Sequence, residues 1–242
     1  MNKVVLGCLA LTVSVPTFAK TVLNFETDAT YPPFESLNSQ GEFTGFDIDI
    51  TNALCKEMNA ECHFHNVPFN SIIPSLKYGK YDAAASAMNI TAARSQQVDF
   101  TQPYLPDEVG FVSKDPGLTK VASLKGIRVG VQNGTTQQQY LQTEMPQINT
   151  VAYPNAQNAM NDLKVGRVQA IFADMAVVST WMKQNKDLHL VGTPLTNEKF
   201  FGKGFGIAVN KGKPELVKEL NQALQAIKAN GSYDKIYQHY FG

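Results

Sequence analysis

The sequence has no excess of charge of either sign. Its 242 residues include 21 Lys and Arg side chains against 21 Asp and Glu, so the formal net charge is zero with neutral histidines. A surface that binds nucleic acid or an anionic membrane needs a basic excess to neutralise phosphates. We therefore expect no nucleic-acid partner. With 43% hydrophobic residues the chain still has enough apolar side chain for a core, which excludes a disordered protein.

The sequence also lacks the motifs of several enzyme and cofactor classes. It has no GxSxG nucleophile motif, no HExxH zinc motif and no cysteine in a catalytic context. The glycine-rich stretch 201–206 precedes a strand pattern instead of a helix, so it does not predict a dinucleotide site. His63 and His65 lie at strand spacing without a third ligand nearby, which indicates two strand histidines. We expect neither a cofactor nor a metal.

No apolar run is long enough to span a bilayer, which takes about 20 residues. The run at 4–19 follows the single charge of Lys3 and ends with small residues at the two positions that a signal peptidase reads. This layout predicts a secretory signal peptide over 1–19, cut after Ala19. The remaining chain, 20–242, has a formal charge of −1 because Lys3 is removed. We expect it to be exported and soluble.

Cysteine is scarce, and one of the three, Cys8, leaves with the signal peptide. Cys55 and Cys62 remain, and an even pair this close together in an exported chain predicts a disulfide. Closing a loop of this size contributes about 2.5 kcal/mol to stability in the chain-entropy description. Two buried free thiols are the alternative interpretation.

The chain contains an internal echo of helix, glycine and strand. Residues 75–83, SLKYGKYDA, match residues 162–170, DLKVGRVQA, and each glycine stands where a helix end favours positive φ. The apolar runs AAASAM and AIFADM then predict two buried strands. The echo indicates two α/β lobes with mostly parallel sheets, unless it is a chance similarity of a common connection.

Further patterns extend both lobes. A strand pattern precedes the polar and aromatic residues of TDATYPPF in one lobe and of QNGTTQQQY in the other, where open α/β sheets bind ligands. Residues 45–58 and 214–228 have the apolar periodicity of helices. Asp47 and Asp49 suit the capping and dipole positions of the first helix. If the last helix rejoins the first lobe, the chain crosses twice, which predicts a two-stranded hinge over a cleft.

Several charged and polar residues suit the two ends of a small zwitterion. Residues 134–137, Gly-Thr-Thr-Gln, begin a helix whose free N–H groups can hold one carboxylate, unless they simply cap it. Arg94 is a natural bidentate partner for the same carboxylate. Asp174 lies in an apolar run, where an acid needs a partner such as a ligand ammonium. Asp28 precedes Tyr31, and an acid beside an aromatic face suits an additional cation.

Segments along the whole of 20–242 resemble the periplasmic binding proteins for polar amino acids, the receptors of ABC importers. They are TDATYPPFES, GFDIDI, FNSIIPSLK, ITAARSQQVDFTQPY, LKGIRVGVQNGTTQQQY and FFGKGFGIAV. The chain is most similar to the arginine-binding branch, beside the lysine/arginine/ornithine and histidine receptors. The resemblance implies the α/β periplasmic binding protein type II fold, two lobes joined by a two-stranded hinge around a ligand cleft. The implied first lobe is 20–105 with 205–242, and the second is 106–204.

The resemblance also implies a ligand-binding set. Its members are Asp28, Tyr31, Phe69, Ser86, Ala87, Asn89, Arg94, Thr135, Thr136, Gln137 and Asp174. Arg94 would bind the ligand α-carboxylate, helped by the neighbouring helix start, and Asp174 would bind the α-ammonium. Tyr31 and Phe69 would enclose the ligand side chain, and Asp28 would meet its distal nitrogen.

Two positions depart from the family pattern. Asn89 stands where Ser, Thr or Asp is more usual, and Ala87 replaces a frequent Ser or Gly. Without an acid at position 89 the site has one attraction fewer for a basic side chain. Asp28 also suits a neutral amide, so a receptor for glutamine or another polar amino acid is an alternative to one for arginine.

The implied function is that of a monomeric periplasmic receptor. It would capture a basic amino acid, with arginine first, by hinge closure and deliver it to an inner-membrane ABC permease with its cytoplasmic ATPase. A cleft enzyme of the same fold, similar to cyclohexadienyl dehydratase, is the other alternative and would need a positioned general acid or base. Because ligand charges already account for Asp28 and Asp174, we predict a binding protein and not an enzyme.

Overall fold

The computed structural model of the protein describes residues 20–242, and the predicted signal peptide over 1–19 lies outside them. Within the described chain, no helix combines the length and the apolar character that a bilayer crossing needs. The strands are β1 Thr21–Thr27, β2 Thr30–Tyr31, β3 Glu35–Leu37, β4 Phe43–Thr44, β5 Ala60–Asn66, β6 Ala83–Ala84, β7 Asp99–Phe100, β8 Val109–Ser113, β9 Arg128–Gln132, β10 Asn149–Tyr153, β11 Ala170–Asp174, β12 His189–Leu190 and β13 Ala208–Val209. The α-helices are α1 Phe46–Glu57, α2 Ile72–Lys77, α3 Ala92–Ser95, α4 Thr136–Glu144, α5 Ala156–Lys164, α6 Met175–Gln184, α7 Glu198–Phe201, α8 Pro214–Ala229 and α9 Ser232–Phe241. Short 3₁₀ helices lie at Phe69–Ser71 and Val121–Leu124.

Two five-stranded sheets organise the two lobes. Their strand orders are β5-β1-β6-β13-β7 and β10-β9-β11-β8-β12, and a small third sheet has the order β2-β3-β4. Helices cover the sheets, and α1, α8 and α9 pack together on the first lobe. The predicted α/β fold with two lobes is therefore confirmed.

Each large sheet is mixed, whereas the sequence pattern predicted mostly parallel sheets. β5, β1 and β6 are parallel, as are β10, β9 and β11. β13 is antiparallel to β6, and β8 is antiparallel to β11. The reason is the connectivity, because β8 and β13 are the strands that follow the two crossings between lobes, and each enters its sheet in the opposite direction.

The two crossings run side by side. The Phe205 amide donates to the Leu105 carbonyl at 2.8 Å, and the Tyr104 amide donates to the Phe205 carbonyl at 2.9 Å. Gly204 has φ +111°, and a Cβ at this position would lie 2.3 Å from the Leu105 carbonyl oxygen. Glycine at 204 thus permits both the backbone conformation and the close approach of the two strands.

The internal echo corresponds to two equivalent connections. α2 leads through Gly79 to β6, and α5 leads through Gly166 to β11, with φ of 68° and 74° at the two glycines. The run AAASAM predicted a longer first strand, but only Ala83–Ala84 forms the hydrogen bonds of a sheet. The helix-glycine-strand prediction is confirmed in both places.

Asp47 and Asp49 lie in the first turn of α1, as the dipole prediction expected, but neither of them caps the helix. The N-cap is Gly45, without a side-chain cap bond. Asp47 Oδ2 accepts hydrogen bonds from the Ala87 amide at 2.7 Å and the Tyr104 hydroxyl at 2.6 Å. The side chain of Asp47 therefore ties α1 to the segment after β6 and to the first crossing.

A disulfide joins Cys55 near the end of α1 to Cys62 in β5, as predicted. The two cysteines are seven positions apart. Cys55 is buried in the core and Cys62 packs against the same cluster. The bond therefore closes the turn that carries the chain from the helix back into the sheet.

We expect replacement of both Cys55 and Cys62 by Ala to lower the free energy of unfolding by about 2.5 kcal/mol, because the unfolded chain gains the entropy of an open loop. The melting temperature should fall by about 5–10 °C. Thermal unfolding with and without a reductant measures this: the reductant should destabilise the wild type and leave the double variant unchanged. A wild type that is insensitive to reduction would contradict the prediction.

Gly204→Ala should lower the free energy of unfolding by roughly 3 kcal/mol, because strain at positive φ adds to a backbone collision. Gly79→Ala is the matched control, since φ there is also positive but no atom lies within 4 Å of the added Cβ. The control should lose only about 1 kcal/mol. Urea unfolding followed by the fluorescence of Trp181, the single tryptophan, compares them. Equal losses would contradict the proposed close approach.

Candidate ligand-binding site

A cavity lies between the two lobes. The residues that line it are Asp28, Tyr31, Glu35, Phe69, Ser86, Ala87, Asn89, Arg94, Gln132, Thr135, Gln137 and Asp174. The structure thus brings together the predicted set, with Thr136 buried just behind the lining. Glu35 and Gln132 are additional lining residues that the sequence analysis did not find.

The topology explains why these side chains meet. Asp28 follows β1, Gln132 ends β9 and Asp174 ends β11. Each of these strands belongs to the parallel part of its sheet, and the carboxyl ends of such strands form the edge where α/β sheets bind ligands. The two edges face each other across the cavity, so both lobes contribute polar groups.

Arg94 supplies the positive charge of the site. It lies in α3, whose N-cap Thr91 accepts a hydrogen bond from the Arg94 amide. Its guanidinium donates to the Asn89 carbonyl at 3.1 Å and, across the cleft, to the Gly134 carbonyl at 3.2 Å. The guanidinium carbon is 5.4 Å from the centre of the Phe69 ring. Burial lowers the pKa of Arg94 to about 10, so the side chain stays cationic at neutral pH.

The start of α4 faces Arg94 from the other lobe. Thr135 is the N-cap and its hydroxyl accepts a hydrogen bond from the Gln138 amide. The Thr136 hydroxyl donates to Asn89 Oδ1 at 3.1 Å, again across the cleft. The first N–H groups of a helix have no partner within it and carry partial positive charge, so this helix start and Arg94 together can bind a carboxylate.

Asp174 supplies a negative charge opposite the first lobe. Its carboxylate accepts hydrogen bonds from the Tyr31 hydroxyl at 2.6 Å and from the Gln137 side-chain amide. Burial is the largest cause that raises the pKa of Asp174, to about 6. Asp107 of the first crossing lies beside it, and burial followed by the charge of Asp174 raises the pKa of Asp107 well above its usual value. A bound cation would relieve this excess of buried acid.

Asp28 is a second acid of the cavity lining. Oδ1 accepts from the Thr30 hydroxyl at 2.7 Å. Oδ2 accepts from the Phe69 amide at 3.1 Å and, across the cleft, from Gln132 Nε2 at 2.8 Å. Burial raises the pKa of Asp28 despite these bonds. With Arg94 near one end and Asp174 and Asp28 elsewhere, the cavity matches a zwitterion that carries an additional polar or cationic group.

The segment after β6 forms one wall through backbone and side chain. The Ser86 hydroxyl accepts from the Asp28 amide at 3.0 Å and donates to Glu35 Oε1 at 3.2 Å. Ala87 has φ +42°, a conformation that costs energy for any residue with a Cβ. Asn89 donates to Asp107 at 2.7 Å and to the Phe201 carbonyl at 3.0 Å, so its amide ties the wall to both crossing regions.

Signals for the two missed residues were present in the sequence. Glu35 stands directly across the β2–β3 pair from Tyr31, and residues in such pairs point to the same face. Prediction of a hairpin at Pro32-Pro33 would have placed Glu35 on the same face as Tyr31. Gln132 ends β9 and is the first residue of the polar segment QNGTTQQQY that was predicted to follow the strand.

The histidines lie away from this cavity. His63 pairs with Glu61 at 3.1 Å on the exposed side of β5, and His65 contacts Asn24 Oδ1 at 2.9 Å. Across residues 20–242 no three His, Cys, Asp or Glu side chains are grouped as a metal site requires.

Comparison with known proteins identifies the relatives of this chain. The profile for bacterial extracellular solute-binding proteins, family 3, matches residues 23–242. ABC transporter arginine-binding protein 1 of Escherichia coli strain K12 is 46% identical over 241 residues, which cover 100% of this chain and 99% of that protein.

Solved structures that are similar to this chain include further arginine-binding proteins. A periplasmic binding protein of Salmonella typhimurium, described for its high arginine specificity, has a TM-score of 0.89 and 41% identity, covering 92% of this chain and 100% of its own. An ancestral arginine-binding protein, solved with arginine and with glutamine, has a TM-score of 0.85 and 37% identity, covering 92–93% of this chain and 99% of its own. These relatives are transport binding proteins, which confirms the predicted family and the prediction that the chain is not an enzyme.

We expect the ligand-free protein to lose stability between pH 5 and pH 7. The pKa values of Asp174 and Asp47 are both raised to about 6, chiefly by burial, so the folded state holds protons that the unfolded chain, with pKa near 4, has released. The free energy of unfolding therefore falls as pH rises through this window, by roughly 1 kcal/mol for each acid. The free energy of unfolding of Asp174→Asn, measured by urea titration, should fall by about 1 kcal/mol less than that of the wild type over the same pH range. The exposed Asp187→Asn is the control; identical profiles for all three proteins would contradict the assignment.

Proposed function

Because the chain belongs to the family 3 bacterial extracellular solute-binding proteins, we propose that it is a receptor that captures free L-arginine and delivers it to an ABC-type permease. The observation that carries the proposal is the placement of Arg94 and Asp174 on opposite lobes around one cavity, which Asp28 also lines. This arrangement has a separate partner for each of the three charges of arginine. The high identity to arginine-binding relatives supports the same ligand.

Each part of arginine then has a partner. The α-carboxylate binds the Arg94 guanidinium in a charge-assisted, bidentate pair, with the start of α4 beside it. The α-ammonium binds Asp174, and it replaces part of the hydrogen bonding that Tyr31 and Gln137 now give to that carboxylate. The aliphatic part of the ligand lies against Tyr31 and Phe69, and its guanidinium reaches Asp28.

Closure of the lobes would make the capture tight. Hydrogen bonds across the cleft join Asp28 to Gln132, Tyr31 to Asp174, Arg94 to Gly134 and Asn89 to Thr136. A ligand that contacts both lobes stabilises the closed arrangement, because all its contacts exist together only there. We propose that 20–105 with 205–242 and 106–204 are the two bodies that move, and that the permease recognises the closed form.

We also propose an oligomeric state, a compartment and transport partners for the protein. The chain would act as a monomer in the periplasm, after removal of residues 1–19, and its inner-membrane permease would work with a cytoplasmic ATPase. A sub-micromolar dissociation constant requires about 8 kcal/mol of net binding free energy. Two desolvated charge pairs and aromatic contacts are of the right order for this value.

Glutamine is the second candidate ligand. Asp28 already accepts a hydrogen bond from the amide of Gln132 at 2.8 Å, so the part of the cavity around Asp28 is chemically compatible with an amide. The ancestral relative was solved with glutamine as well as arginine. Lysine, ornithine and histidine would be the next basic candidates after arginine.

We expect arginine to give the largest thermal stabilisation of ligand-stripped protein in a panel of amino acids. At a thousandfold excess over the dissociation constant, binding adds about 4 kcal/mol, or about 8–16 °C in melting temperature for a chain of this size. Arg94→Ala should lose the response to every amino acid, and Asp28→Asn should lose mainly the response to basic ones. The exposed Arg128→Ala, matched in chemistry to Arg94→Ala, should respond like the wild type. A flat panel would refute amino-acid capture.

A further inference from the structure

Glu35 is a buried acid of the cavity to which the ligand roles above give no task. It begins β3, is 1% exposed and lines the cavity beside Asp28 and Ser86. Its Oε1 accepts the Ser86 hydroxyl at 3.2 Å. Its Oε2 is buried and has no hydrogen-bond partner among the described residues. A buried acceptor without a partner is costly, and Glu35 is one of the residues that a ligand in the cavity would contact.

The charge inventory of the cavity assigns that donor to the ligand side chain. Among the lining residues within 20–242, Arg94 is the one base, while Asp28, Glu35 and Asp174 are acids. Arg94 and Asp174 match the two α-groups of an amino acid. Asp28 and Glu35, which both hydrogen-bond to Ser86, remain for the side chain, so this part of the cavity offers two carboxyls to a ligand.

The two remaining carboxyls differ in what they can still accept. A carboxylate has about four acceptor positions. Asp28 already accepts hydrogen bonds from Thr30, the Phe69 amide and Gln132. Glu35 accepts one, from Ser86, and its Oε2 accepts none. Most of the free acceptor capacity in this part of the cavity therefore belongs to Glu35.

We propose that Glu35 is a specificity-determining residue, whose Oε2 accepts hydrogen bonds from a cationic ligand side chain and so favours a guanidinium over a neutral group of the same shape. The inference rests on the proposed function and deepens it. A guanidinium has N–H donors pointing in several directions, which suits two carboxyls in one part of a cavity. A neutral amide has two N–H donors but no charge that would pair with either carboxylate.

The electrostatics around Glu35 support a change of protonation on binding. Burial, then the charge of Asp47, then the charge of Asp28 raise the pKa of Glu35 well above its usual value. The titratable or charged groups that face it are Asp28, Asp47, Tyr104, Asp174 and Arg94. Without a cation the carboxyl therefore holds its proton more strongly than an exposed glutamate does. When a guanidinium binds, the Glu35 O–H bond breaks and the proton passes to the solvent buffer, which leaves a carboxylate paired with the ligand.

Arginine and citrulline form a matched pair of ligands that isolates this effect. They share both α-groups and the side-chain shape, and only arginine is charged at its end. Titration calorimetry of ligand-stripped protein at pH 7, in buffers of different ionisation enthalpy, counts the protons released. The wild type should release more protons with arginine than with citrulline, and its preference for arginine should grow from pH 6 to pH 8.

Glu35→Gln should remove both effects. We expect it to weaken arginine binding by about tenfold or more and citrulline binding by less than about threefold, since the lost bond is charge-assisted for arginine alone. The excess proton release with arginine should disappear. Glu42→Gln, the same change at an exposed position of the adjoining turn, should leave both ligands and the proton count unchanged.

The outcomes separate this inference from the function on which it rests. Equal losses for arginine and citrulline in Glu35→Gln, or no loss, would overturn the role of Glu35 while the receptor function stands. Equal proton release for the two ligands in the wild type would also overturn it, and this measurement decides the matter if the variant does not fold. A wild type that binds no arginine would overturn the proposed function itself.

Discussion

Buried charge that is not neutralised within the protein is the constraint on which the rest of this structure depends. Arg94 and Asp174 are both less than a tenth exposed, and among the described residues no ion pair joins them. Each is held by neutral donors and acceptors, which keep the charge available for a ligand. Such groups persist only where a rigid frame fixes them, and the two sheets, with the paired crossings between them, form that frame.

The acids of the cavity reduce stability in favour of function. Asp28, Glu35 and Asp174 line it, and Asp47 lies behind it, with pKa values raised mainly by burial. A core of the same volume built from apolar side chains would avoid this penalty. The disulfide, the aromatic packing and the continuous apolar cluster that includes residues of both lobes offset the cost elsewhere.

Much of the fold could be predicted because its signals are local. The glycines at 79 and 166, the helix periodicity of α1 and α8 and the cysteine spacing each depend on a few neighbouring residues. The contacts of Asp47 could not be predicted, since its partners come from the segment after β6 and from the first crossing, far along the chain. Glu35 was missed for a related reason. Its side chain reaches the cavity because of a short hairpin, and the sequence around it has no periodic pattern that would indicate this.

The position of β13 has a consequence for how the protein is made. This strand comes after residue 207, yet it lies inside the first sheet, between β6 and β7. The sheet that begins with β1 therefore stays incomplete until nearly the whole chain has been synthesised, whereas every strand of the second sheet is already available by residue 190. Contacts between such distant parts of a chain form slowly. The first lobe therefore completes its sheet only after the second crossing has been made, whereas the second lobe can assemble its sheet before that.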